Sequence, residues 1–202
     1  MIEVDPKVGI GKGKLVNHLD FIDFRQPIIK SKGENLPHWE QSGKLQFITV
    51  RLCDSLPASK IEYLEDLKLK LINDECIIQV DDKDTYIEKI DNWLSKGYGE
   101  CLLKYDTIQK LIDDALNYYD GKKYDLFNYV IMPNHIHIIV IPYVNFEITW
   151  ADFKRYTTRK INKFLDRTGE LWQRECFDRM IRSGSELMRI IEYIRTNPQS
   201  VL

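Results

Sequence analysis

The run MPNHIHIIVIP, Met132 to Pro142, sets two of the chain's four histidines two positions apart inside an apolar stretch. A β-strand turns successive side chains to opposite faces, so His135 and His137 share one face while Ile136, Ile138 and Val140 share the other. A strand of this kind needs a sheet with a core on one side and a chemically different surface on the other. Pro133 and Asn134 before it are turn residues, and NYVIMP upstream reads as a preceding strand, so the pair forms an antiparallel hairpin. Two readings of the histidines are open: a half-exposed strand that happens to carry them, or a metal site. Imidazole nitrogens bind divalent metals readily, but two of them leave a site incomplete, and at least one further donor must come from elsewhere.

The elements around this hairpin follow from pattern. LQFITVRL, Leu45 to Leu52, alternates and is rich in β-formers, and it ends in the turn DSLP. Residues about 60–97 are charged and amphipathic with helical spacing, which suggests an inserted helical pair. DTIQKLIDDALNYYDGKKY is an amphipathic helix with Asp106 as candidate N-cap and Gly121 as stop. TWADFKRYTTRKINKFLDRTG is a second, capped near Thr149 and ended by Gly169, and CFDRMIR is a short strand. SGSELMRIIEYIRTNP is the last helix, with Ser183 and Glu186 at capping-box spacing and Pro198 beyond its end. The order strand, helix, strand, strand, helix, strand, helix gives an α+β chain: a ferredoxin-like antiparallel sheet of β-α-β-β-α-β form with a C-terminal helix added. Residues 1–43 lack sustained periodicity and read as an irregular arm, leaving 44–202 as one domain with the helical insertion.

Several classes are excluded. The glycines at 9, 11 and 13 lack the GxxxxGK[ST] spacing of a phosphate loop, and DDKD at 81–84 lacks the calcium-loop pattern. Cys53, Cys76, Cys101 and Cys176 show no CxxC spacing, so neither a zinc ribbon nor a disulfide framework is suggested. No stretch approaches the roughly twenty apolar residues of a membrane span, and MIEVDPKVGIGKGKL has no signal-peptide hydrophobic region; a cytoplasmic protein is expected. The net charge of -2 is unevenly spread: from Trp150 onward 11 Lys and Arg stand against 7 Asp and Glu. That asymmetry permits a phosphate-binding surface on the C-terminal third, centred on Lys154, Arg155, Arg159, Lys160 and Lys163.

On the last helix Leu187, Ile190, Ile191 and Ile194 form the apolar stripe, and Glu186, Arg189, Tyr193 and Asn197 follow one another along its flank. A tyrosine at the rim of a core stripe is suited to packing as well as to chemistry. If this helix crosses the histidine strand, Asn197 supplies the missing oxygen ligand and Tyr193 faces the bound metal one turn away.

LPHWEQ, FITVRLCDSLP, KGYGECLL, YVIMPNHIHIIV, FKRYTTRKIN, GELWQRECFDRMIR and EYIRTNP occur here in the order seen in the REP-associated tyrosine transposases, a group of HUH single-strand nucleases that this chain resembles. The resemblance spans roughly residues 36–198, and the combination of MPNHIHIIV with YIRTNP is its specific part. It implies that His135 and His137 are metal ligands, that Tyr193 is the nucleophile, and that Asn197, four residues on, is the polar third ligand. It implies Mg²⁺ or Mn²⁺ as cofactor and single-stranded or hairpin DNA as partner, with nicking and joining through a 5′-phosphotyrosine. Lys154 to Lys163 and Arg174 would then hold phosphates while Trp172, Tyr156 or Phe177 stacks on unpaired bases. Tyr156 is the rival nucleophile. Two other readings compete: a histidine-triad hydrolase, which fails because Ile139 stands where a third histidine is needed, and a hairpin-binding protein without catalysis. The sequence does not distinguish a monomer from a homodimer.

Overall fold

The structure, a computed structural model, describes residues 8–10, 20–32, 37–64 and 89–196. Its strands are β1 (Val8–Ile10), β2 (Ile29–Lys32), β3 (Pro37–Glu40), β4 (Gln46–Arg51), β5 (Tyr124–Ile131), β6 (His135–Pro142) and β7 (Phe177–Met180). Its helices are α1 (Asp106–Tyr119), α2 (Phe146–Phe164) and α3 (Gly184–Thr196). Two further helical stretches, 58–64 and 89–94, flank the segment 65–88, so the middle of the expected insertion lies outside the described residues. The main sheet is antiparallel throughout, in the order β1-β5-β6-β4-β7, while β2 and β3 pair as a separate hairpin. The α+β class and the antiparallel sheet expected from the sequence are therefore present. Among the described residues no helix is long and apolar enough to cross a membrane.

The first 43 residues are not wholly irregular. Val8, Gly9 and Ile10 pair with Val130, Tyr129 and Asn128 and add an edge strand beside β5. Three residues are too few to show a period, and their pairing is set by the open edge of β5 rather than by their own pattern. Two helix starts also move. α1 takes Tyr105 as N-cap, leaving Asp106 as an acidic residue in the first turn. α2 starts at Phe146, where the Asn145 side chain accepts from Ile148 N at 3.1 Å; Thr149 lies inside the helix, its hydroxyl donating back to Asn145 O.

Alternation along the strands divides the sheet into two faces. Ile48, Val50, Ile136, Ile138 and Val140 pack with Ile108, Ile112 and Leu116 of α1 and Trp150, Phe153 and Ile161 of α2. On the other face Leu45, Phe47, Val130, Ile139 and Ile141 pack with Leu187, Ile190 and Ile194 of α3. The register puts Arg51 opposite His135, Thr49 opposite His137 and Phe47 opposite Ile139, so the histidines stand on the face that α3 covers.

The insertion is fastened at its exit. Asp54 Oδ2 accepts from Glu100 N at 2.7 Å, and Gly99 holds a φ of +84° with its backbone so close that a Cβ would lie 2.6 Å from Asp54 O. Only glycine takes that conformation and that approach without strain. Leu56, Leu64, Ile90 and Leu94 form a small core of their own, against which Trp93 and Phe177 pack. That core sets residues 89–95 at the edge of the histidine face.

Candidate functional site

His135 and His137 are both fully buried, and their Nε2 atoms lie 3.0 Å apart. Burial holds both imidazoles neutral, pushing His135 down to about 3 and His137 well below the usual histidine range. The outer nitrogens are fixed by neighbours. Asn134 Nδ2 donates to Leu94 O (3.2 Å) and Tyr98 O (3.1 Å), which orients its carbonyl oxygen to accept from His135 Nδ1 at 2.7 Å. The proton of His135 thus sits on Nδ1, and the Nε2 lone pair points inward. Thr49 Oγ1 lies 3.0 Å from His137 Nδ1, and a hydroxyl serves either histidine tautomer.

This arrangement meets a metal's needs in part. Neutral imidazoles with their outer nitrogens hydrogen-bonded are what a divalent ion requires. Adjacent octahedral ligands at about 2.1 Å from an ion stand about 3.0 Å apart, which is the separation of the two Nε2 atoms. The third donor is another matter. Among the described residues no group of three His, Cys, Asp or Glu side chains forms a complete metal site. Asp91, on the helical stretch 89–94, brings Oδ1 to 4.0 Å from His137 Nε2; with His137 neutral this is a polar contact rather than an ion pair. Asn197 lies outside the described residues, so its expected role as ligand is not placed.

Tyr193 does reach the site. Its ring centroid is 5.3 Å from that of His137, edge to face, while Phe47 stacks on His137 at 5.3 Å. Beside them lies a pocket of about 390 Å³ lined by Tyr193, Arg189 and Ile190 of α3, Arg179 of β7, Phe47 of β4, and Asp91, Asn92 and Ser95. Arg179 pairs with the buried Glu186 at 2.7 Å, and Glu186 in turn accepts from Arg182 N, while Ser183 Oγ accepts from Glu186 N. The capping-box residues therefore start α3 and also hold a guanidinium in the pocket wall.

The DNA-binding residues expected on α2 are not brought to this place. α2 packs on the opposite face of the sheet, so Arg155, Arg159, Lys160 and Lys163 are exposed far around the molecule from Tyr193. Arg155 Nη2 is bonded to Asp152 at 2.7 Å. Lys154 is committed to structure, its Nζ donating to Gln173 O and Arg174 O at 2.9 Å each, while Arg174 itself is exposed. Trp172 is a correction: it is buried in the α1/α2 core with Nε1 donating to Thr157 Oγ1 at 2.8 Å, and it offers no face to a base. Phe177 is half-buried under Arg51, and Tyr156 is exposed on α2, away from the histidines.

Sequence reasoning missed Thr49, Asp91, Arg179 and the buried role of Asn134. Thr49 and Arg179 alternate correctly with the core positions of their strands; the register of β4 with β6 sets Thr49 opposite His137, and that of β7 with β4 sets Arg179 opposite Phe47 on the same face. Asp91 has no such signal, because contacts across an insertion leave no period.

No family model matches the chain, and no curated protein does. Among solved structures, one of a REP-associated tyrosine transposase bound to a REP hairpin is similar, with a TM-score of 0.43 and 16% identity over 88% of this chain and 73% of that one.

Proposed function

We propose that this chain is a metal-dependent single-stranded DNA nicking and joining enzyme of the HUH tyrosine-transposase kind, acting on hairpin-forming DNA. The observation that carries this reading is the convergence of His135, His137 and Tyr193, three side chains picked out by two motifs far apart in the chain, on one buried face. The core-strand order β7-β4-β6-β5 supports a ferredoxin-like arrangement beneath them. His135 and His137, with Asn197 as proposed third donor, would hold Mg²⁺ or Mn²⁺, which when bound supplies Lewis-acid polarisation of a phosphodiester.

The chain's own groups do the rest. Tyr193 Oη forms a bond to phosphorus as the bond from phosphorus to the 3′ oxygen of the preceding nucleotide breaks. The phenol loses its proton and the departing 3′ oxygen gains one, leaving a 5′-phosphotyrosine and a 3′-hydroxyl. Because the phosphodiester energy is kept in the covalent link, the 3′-hydroxyl of another strand can rejoin it without ATP. Arg189, one helical turn before Tyr193, holds the phosphate and favours phenolate by its charge.

Hairpin binding without cleavage is the second reading. Incubation of end-labelled single-stranded hairpins with the protein in Mg²⁺ or Mn²⁺, followed by a denaturing gel, separates the two. DNA carried with the protein band supports the enzyme. Retarded DNA on a native gel with no denaturation-resistant adduct supports the binder, and cutting without an adduct points instead to a metal-activated water.

A further inference from the structure

The pocket beside Tyr193 is larger than a phosphate needs and is built from unlike walls. Its volume of about 390 Å³ falls within the range of small-molecule sites, roughly 300–1,000 Å³. Phe47 and Ile190 give it an apolar floor. Arg179 is clamped by Glu186, whereas among the described residues none pairs with Arg189, whose guanidinium stands exposed at the rim. Asn92, exposed on the helical stretch 89–94, lines the pocket with Asp91 and Ser95, and its amide presents a donor and an acceptor side by side. A flat apolar body, a polar edge and an anion describe one nucleotide.

We infer that this pocket takes a single unpaired nucleotide next to the scissile phosphate, with Arg189 on its phosphate and Asn92 reading its base edge. The inference rests on the proposed DNA reaction and adds a role for the insertion, which carries Asn92: it selects the nucleotide at the cut. An amide pairs two-point with a base that shows a donor beside an acceptor, and guanidinium forks match phosphate oxygens. Discrimination by one such pair is on the order of tenfold to a hundredfold, from about 1–3 kcal/mol.

A pool of DNA hairpins with randomised single-stranded flanks tests this without requiring cleavage. The pool is passed over the full chain carrying Tyr193→Phe, and the retained DNA is sequenced. Enrichment of one base at one flank position, tenfold or more, is expected; adding Asn92→Ala should reduce it at that position alone to within about threefold of background. Lys96→Ala, exposed on the same segment but outside the pocket, should leave it unchanged. Enrichment that survives Asn92→Ala, no base preference at all, or no retained DNA overturns the inference. A wild-type protein that retains the Asn92-dependent preference yet forms no adduct keeps the pocket and removes the enzyme reading; an adduct without preference does the reverse.

Discussion

Tyr193→Phe removes one oxygen from a side chain whose ring would keep its edge contact with His137. The expected outcome is loss of the covalent adduct with hairpin binding retained, whereas Tyr156→Phe on the far side of the sheet leaves adduct formation in place. Loss of a buried hydroxyl costs at most about 1–3 kcal/mol, so thermal melting of each variant separates a folding defect from a chemical one. The histidines make a second residue-scale prediction. Burial holds His135 at about 3, below the roughly 6.5 of an unfolded chain, so between those values the unfolded state binds the extra proton. Their stability contribution is therefore complete above pH 6.5 and falls as the medium is acidified, towards a slope of about 1.4 kcal/mol per pH unit for each buried imidazole. Urea unfolding in chelator from pH 8 to pH 4 should show this slope, and His135→Gln should make it shallower; an unchanged slope would mean that other groups set the acid limit.

At the scale of elements, α2 and the insertion divide the work differently from what their composition suggests. The exposed basic face of α2 stays a candidate for non-specific binding of phosphates. Replacing Arg155, Arg159 and Lys160 together by glutamine should weaken binding of single-stranded DNA and flatten its salt dependence, by a log–log slope of about 0.7 for each phosphate no longer neutralised. Fluorescence anisotropy across a salt series measures it, and an unaltered slope would transfer the DNA wholly to the Tyr193 side. The insertion instead depends on Gly99. Gly99→Ala meets both a positive φ and a 2.6 Å approach to Asp54 O, so destabilisation of about 1–3 kcal/mol is expected in denaturant unfolding. Gly43→Ala, also at positive φ but in open space, should cost less.

For the whole molecule, how much can be read from sequence follows from what period-2 and period-3.6 patterns encode. They yield the hairpin, the three long helices, the last helix's apolar stripe and the shared face of His135 and His137, because each is written in spacing within one element. They are silent on the side of the sheet where α2 lies, since an amphipathic helix packs equally well on either face, and so composition alone groups its basic residues with a site they do not touch. Trp172 misleads for a related reason: its indole finds Thr157 fifteen residues earlier, and no local pattern announces such a partner. The edge strand Val8–Ile10 and the approach of Asp91 to His137 are likewise products of assembly.

One register between β4 and β6 sets Ile48 and Val50 against the α1/α2 core and Thr49 and Arg51 beside the histidines. In terms of heredity, this makes the stretch from Met132 to Pro142 a single unit of inheritance. Deleting one codon inside it turns every following side chain to the other face, sending an imidazole into oil and isoleucines into the pocket. No partial loss is available by that route, because the alleles that lose the site also lose the fold. Within this strand, then, the proposed chemistry is silenced with the fold kept only by substitution, and such descendants will carry a full-length strand with a changed letter at position 135 or 137.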